Sequence, residues 1–108
     1  EGLEASVQDA QQARHRIDVR RAGVYNAATT ILPDAPWRDP VAIDAWADEL
    51  PTDEEVVVYC VYGHEVSRST ALRLRAAGIK ARFLQGGIDG WIASGQPVQA
   101  KAFTLPTG

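Results

Sequence analysis

The sequence predicts an α/β domain, a mostly parallel central sheet flanked by helices on both faces. Three observations predict it. Segments of strand character alternate with segments of helical spacing, the order that crossover connections produce. One of them, Val56-Val57-Val58-Tyr59-Cys60, is an unbroken β-branched and aromatic run, the pattern of a strand covered on both faces. Glycine or proline marks most of the junctions.

Residues 6–14 place Ser6 as a cap ahead of good helix formers, which predicts a first helix. Residues 16–20 alternate Ile17 and Val19 with polar neighbours and predict a short strand. Residues 23–38, rich in Gly, Pro, Asn and Thr, predict a long connection with at most a short strand inside. Asp39-Pro40 opens a helix, with Asp as the cap and Pro at the first helical position. Ile43, Trp46, Ala47 and Leu50 follow at helical spacing, and Pro51 ends it. A polar turn at 52–55 leads into the strand 56–60. Residues 61–66 form a tight loop; Ser67 caps the next helix, which runs to Ala77 and stops at Gly78. Residues 80–84 predict another strand. Gly86-Gly87 is a turn, and residues 88–94 are a short helix closed by Gly95 and Pro97. Gln99 onward carries no strong signal. Residues 1–100 read as a single domain and 101–108 as a C-terminal tail.

With 108 residues, 45% of them hydrophobic, the chain has material for one real core. A net charge of −3 argues against a nucleic-acid-binding surface. Basic residues gather at 14–21 and 68–82, but both stretches are mixed and read as solvated faces. No apolar run approaches the ~20 residues of a membrane span, so no membrane partner is expected. No export leader is visible at the N-terminus, although the chain contains no Met and a removed leader is compatible with it. The single cysteine can form neither an internal disulfide nor a cysteine-rich zinc site, and it fits a reducing, cytoplasmic setting. Nothing in the sequence sets the oligomeric state.

The informative segment is Cys60-Val61-Tyr62-Gly63-His64-Glu65-Val66-Ser67-Arg68. A cysteine at the end of a buried strand, followed by a short loop and a helix start, sits where ligands bind in parallel sheets. Loop amides and the positive helix end would stabilise an anion there, favouring the nucleophilic thiolate and, after sulfur transfer, a persulfide anion. The competing reading is a buried structural cysteine. Placement at the strand end favours chemistry.

The chain resembles the rhodanese family over about its first hundred residues. Ile17-Asp18-Val19-Arg20 resembles the family's early strand motif. Leu32-Pro33-Asp34-Ala35 resembles a degenerate His-Ile-Pro-Gly-Ala segment. Val57-Val58-Tyr59-Cys60 followed by Gly63 resembles the strand and active-site loop, and Leu84-Gln85-Gly86-Gly87-Ile88-Asp89-Gly90-Trp91 the closing Gly-Gly-Ile-x-x-Trp segment. The resemblance implies a rhodanese-like fold and a sulfurtransferase. Cys60 would take sulfur from a small donor such as thiosulfate, hold it as a persulfide and pass it to cyanide, a thiol or a protein acceptor. It implies no metal and no organic cofactor. Residues 61–66 would bind substrate, with Arg68 assisting from the first helical turn. Asp18 and Arg20 would help to order the site.

The departures from the family pattern concern charge. Many members carry Arg directly after the cysteine and two residues past the Gly, where this chain has Val61 and Glu65. A dianionic donor would meet less positive charge, and weak thiosulfate turnover is expected. Related cysteine phosphatases and arsenate reductases need an Arg six residues after the cysteine, where Val66 stands. His64 reads equally as a hydrogen-bond donor to substrate and as a solvated loop residue. Glu65 could orient it, and Tyr62 could line the mouth. Arg38 could supply the missing cation, but Trp37-Arg38 reads better as a loop anchor. Two other functions compete with sulfur transfer. One is a catalytically silent binding or regulatory module; the other is a thiol-dependent oxyanion reductase, which would borrow its second thiol.

Overall fold

The computed structural model describes residues 2–101. Four strands form one parallel sheet in the order β1-β5-β4-β2: β1 (Glu4–Ala5), β2 (His15–Asp18), β4 (Glu55–Tyr59) and β5 (Lys80–Leu84). A separate antiparallel pair joins β3 (Thr30–Ile31) to β6 (Gln99–Ala100). The helices are α1 (Val7–Gln12), α2 (Ala22–Ala27), α3 (Ile43–Trp46), α4 (Glu65–Ala76) and α5 (Gly87–Ala93).

Strand β4 organises the molecule. Its side chains alternate between faces, as the strand period requires. Val56 and Val58 pack with Ile43 and Trp46 of α3 and Ala71 and Leu74 of α4. Val57 and Tyr59 pack on the other face with Ala10 of α1 and Ile88 and Trp91 of α5. Every side chain from Val56 to Tyr59 is fully buried, and each of the three valines contributes about 1.5–3 kcal/mol. Helices therefore cover both faces, as expected. Among the described residues no helix is long and apolar enough to cross a membrane.

Several boundaries differ from the sequence expectation. Ser6 does cap α1, in a reciprocal box with Asp9, but the helix stops at Gln12 because residues 13–14 must return the chain to the sheet. The strand expected at 16–20 lies one residue earlier at its start and ends at Asp18. The connection at 23–38 contains α2, which buries none of its side chains and so carries no periodic apolar signal. The helix expected after Pro40 is broken into a 3-10 turn (Pro40–Ala42), α3 and a second 3-10 turn (Ala47–Glu49). Asp39 caps it as expected, and Trp46 Nε1 donates to the Asp39 carbonyl at 2.8 Å, drawing the segment into a tight coil. β1 and β6 span two residues each, too short to show a pattern. Beyond Lys101, the expected tail lies outside the described residues.

Candidate active site

Cys60 directly follows β4, and the chain turns through residues 61–64 into α4. The helix begins at Glu65, three residues before the start expected from a Ser67 cap. Its cap position is His64, whose side chain makes no capping bond. Ser67 is therefore not a cap but a buried residue of the first turn, and its Oγ lies 3.1 Å from Cys60 Sγ. The earlier start also places Glu65 at the first helical position, where an acidic side chain suits the dipole.

The loop is held from behind by α5. Ile88 and Asp89 donate their amides to the carbonyls of Cys60 and Val61 at 2.9 and 3.0 Å. Gly87 makes this approach possible: its φ is +60°, and a Cβ there would fall 2.4 Å from the Val61 oxygen and 2.5 Å from that of Cys60. Gly63, at φ +74°, fits equally closely against the backbone of Leu84 and Gly86, where a Cβ would sit 2.7 Å from each. With two carbonyls engaged by α5, the amides of residues 61–67 donate to no protein acceptor among the described residues. They comprise a loop and a helix start, the arrangement that holds anions.

Cys60 is only 7% exposed, yet it opens into a cavity of about 400 Å³. Val61, Tyr62, His64, Glu65 and Val66 line that cavity with Arg20, Arg21 and Val24. Gly63 supports the loop from outside the lining. Tyr62 is exposed at the mouth, its ring centroid 6.3 Å from that of His64.

Asp18 and Arg20 form a buried ion pair beside the cavity. Arg20 Nη2 reaches Asp18 Oδ2 at 2.6 Å and the Thr30 carbonyl at 3.0 Å, while its backbone amide and Nε also donate to Asp18. The guanidinium faces the rings of Tyr25 and Tyr59 at 5.7 and 5.6 Å. Burial alone would weaken its hold on the proton, but the Asp18 hydrogen bond and charge prevail and raise Arg20 above its ordinary value. The positive charge of Arg20 is thus already matched by Asp18.

Two expected cations lie elsewhere. Arg68 faces away on α4 and lines a separate depression with Leu3, Glu4 and Phe83. With the helix starting at Glu65, position 68 has turned off the loop face. Arg38 pairs with Glu49 at 2.9 Å and lines another depression with Arg14 and Leu50. Trp37 is the loop anchor: its Nε1 donates to the Arg20 carbonyl at 2.7 Å, and its ring stacks on Tyr25.

Sequence reasoning missed Arg21, Val24 and Ser67. Arg21 belonged to a basic stretch read as a solvated face, and Val24 to a stretch read as irregular. The signal for Ser67 was its register: with the helix starting at Glu65, its third residue comes round beneath the sulfur.

Among the described residues no cluster of His, Cys, Asp and Glu is placed to hold a metal ion. The model of the rhodanese-like domain family matches residues 3–94. No curated protein matches the chain. Among solved structures, a rhodanese-related protein from Thermoplasma volcanium superposes with a TM-score of 0.76 at 21% identity, covering 89% of this chain and 96% of that one. A rhodanese-like domain protein from Staphylococcus aureus gives 0.74 at 20% identity, covering 92% and 98%. A protein from Rhodopseudomonas palustris described as a possible tyrosine phosphatase gives 0.72 at 19%, covering 87% and 82%. Identities this low carry the fold and nothing finer. The family match over most of the length, the parallel sheet and the cysteine loop braced by a Gly-Gly turn agree: the chain belongs to the rhodanese-like domain family, which includes sulfurtransferases.

Proposed function

We propose that the protein is a sulfurtransferase that carries sulfane sulfur as a persulfide on Cys60. The observation that carries this reading is a buried cysteine that lines a cavity, at the head of a loop whose backbone amides have no protein acceptor among the described residues. With thiosulfate as donor, the Cys60 thiolate attacks the outer sulfur, the S–S bond breaks, and sulfite leaves with the electron pair. The terminal sulfur of the new persulfide is an anion of the kind such amides stabilise. An acceptor thiolate or cyanide then attacks that sulfur and expels Cys60 as thiolate, a double displacement through a covalent intermediate. The Ser67 hydroxyl can donate to Sγ in its anionic form. No step calls for a metal or organic cofactor.

A second reading, a binding module without turnover, is favoured by the charges of the cavity. Arg20 is neutralised by Asp18, and Glu65 adds a carboxylate to the lining that would oppose a dianion. Phosphatase chemistry finds no support, because Val66 occupies the position of the oxyanion-gripping arginine. Intact mass after incubation with sulfane donors separates the readings. The expected result is a gain of one sulfur, reversed by cyanide and missing in Cys60→Ser. No adduct with any donor leaves the binding module.

A further inference from the structure

Helix α2 forms one wall of the cavity over Cys60, yet it has little of its own to hold it there. Arg21 at its cap position and Val24 within it line the cavity. The helix is six residues long, buries none of its side chains and has no side-chain cap at its N-terminus. A helix this short does not persist on its own hydrogen bonds, so contacts from outside must fix it. They converge on Tyr25. Its ring stacks on Trp37 at 4.9 Å and faces the Arg20 guanidinium at 5.7 Å. From the far end of the described chain, Lys101 Nζ donates to the carbonyls of Tyr25 and Asn26 at 2.6 and 3.1 Å and lies 4.4 Å from the centre of the Tyr25 ring.

The last carbonyls of a helix have no partner within it, and a lysine that reaches them satisfies both their hydrogen bonding and their negative charge. Lys101 is itself held in place: its amide donates to the Thr29 carbonyl at 2.8 Å, just past the pairing of β6 with β3. It lines a separate depression with residues 26–29 and takes no part in the cavity of Cys60. We propose that Lys101 is the latch of α2, a positioning residue that sets how wide a molecule can reach Cys60. With the ammonium on the two carbonyls, the wall carrying Arg21 and Val24 stays closed. Without it, α2 loosens and that wall withdraws. A narrow molecule enters the closed cavity in either case, whereas a broad one must wait for α2 to open. The latch concerns access to the thiol and holds whatever chemistry Cys60 performs.

The test measures rate constants for alkylation of Cys60 in the full chain by N-methylmaleimide and by N-(1-pyrenyl)maleimide, which share one reaction and differ in width. Lys101→Met keeps the bulk of the stem and removes the ammonium. In it the pyrenyl-to-methyl ratio should rise about tenfold, the effect of losing one hydrogen bond to a charged group at the lower end of its range. Lys101→Arg keeps the cation and should bring the ratio back toward the wild-type value. Gly95→Ala strains a turn outside α2 and its contacts, and so weakens the fold without touching the latch; its ratio should equal that of the wild type. Hydrogen exchange gives a second readout. The amides of Tyr25 and Ala28, bonded to the carbonyls of Arg21 and Tyr25, should exchange faster in Lys101→Met and at the wild-type rate in Gly95→Ala. An unchanged ratio in Lys101→Met would overturn the latch. So would an equal rise in Gly95→Ala, which would make the effect one of general stability, or a ratio in Lys101→Arg as high as in Lys101→Met. None of these outcomes bears on whether Cys60 carries sulfur.

Discussion

The Ser67 hydroxyl, 3.1 Å from Cys60 Sγ, is positioned by helix register rather than by any local motif. It is completely buried, so no water competes for it. Replacing it with Ala removes one bond to the reacting sulfur, worth about 1 kcal/mol. Alkylation of Cys60 in Ser67→Ala should therefore slow about fivefold, with a loss of about 1 kcal/mol in urea unfolding. An unchanged alkylation rate would make Ser67 a packing residue only. Asp18 makes a different prediction. It is buried and bonded to Arg20 through both carboxylate oxygens. Asp18→Ala leaves the guanidinium without its counter-charge and should cost about 3 kcal/mol of stability in urea unfolding. A loss under 1 kcal/mol would mean that water or the Tyr25 and Tyr59 rings support Arg20 unaided.

At the scale of elements, the strand–loop–helix unit was legible where residue type alone decides the outcome. The run from Val56 reads as a covered strand and is one, although it starts at Glu55 and ends at Tyr59, one residue short of the expected Cys60; Gly86-Gly87 could only mark a special backbone. The start of α4 was misplaced because Ser67 looks like a cap, and nothing local reveals that its hydroxyl is spent on a sulfur seven residues earlier. The site's cations were misplaced for the same reason. Arg68 lies near the loop in sequence, but its direction follows from helix phase, whereas Arg21 reaches the cavity from the cap position ahead of α2, a helix the sequence conceals. The glycines give this unit a quantitative test. Gly87→Ala must accommodate a positive φ and a Cβ within 2.5 Å of two carbonyl oxygens, displacing the loop from α5. Gly95 also has a positive φ, +82°, but nothing lies within 4 Å of its Cβ position. Gly95→Ala should cost about 1 kcal/mol of strain alone and Gly87→Ala about 3 kcal/mol or more, with slower Cys60 alkylation only in the latter. Equal losses would show that the turn is not pressed against the loop.

At the scale of the whole molecule, Tyr59 joins the sheet, the connection from Leu32 and the ion pair of the site. Its ring is fully buried and lies against Arg20, and its hydroxyl oxygen accepts the Leu32 amide at 3.2 Å. Burial first, and then the nearby Asp18 carboxylate, push the phenol far above its ordinary value. The phenol is neutral when protonated, so the folded chain holds this proton more tightly than the unfolded chain. Its contribution is fully present below the unfolded value of about 10 and is lost as pH rises above it, at up to about 1.4 kcal/mol per pH unit. Tyr59→Phe removes that titration but leaves the Leu32 amide without its acceptor, a cost of about 1 kcal/mol at neutral pH. Urea unfolding of both proteins between pH 7 and 11 should show the variant less stable at pH 7, the gap narrowing above about pH 10 and then reversing. Titrations common to both chains cancel in the difference. Parallel curves across that range would mean that the phenol reaches solvent in the folded state, and that the contact between the central strand and the connection opens without unfolding the sheet.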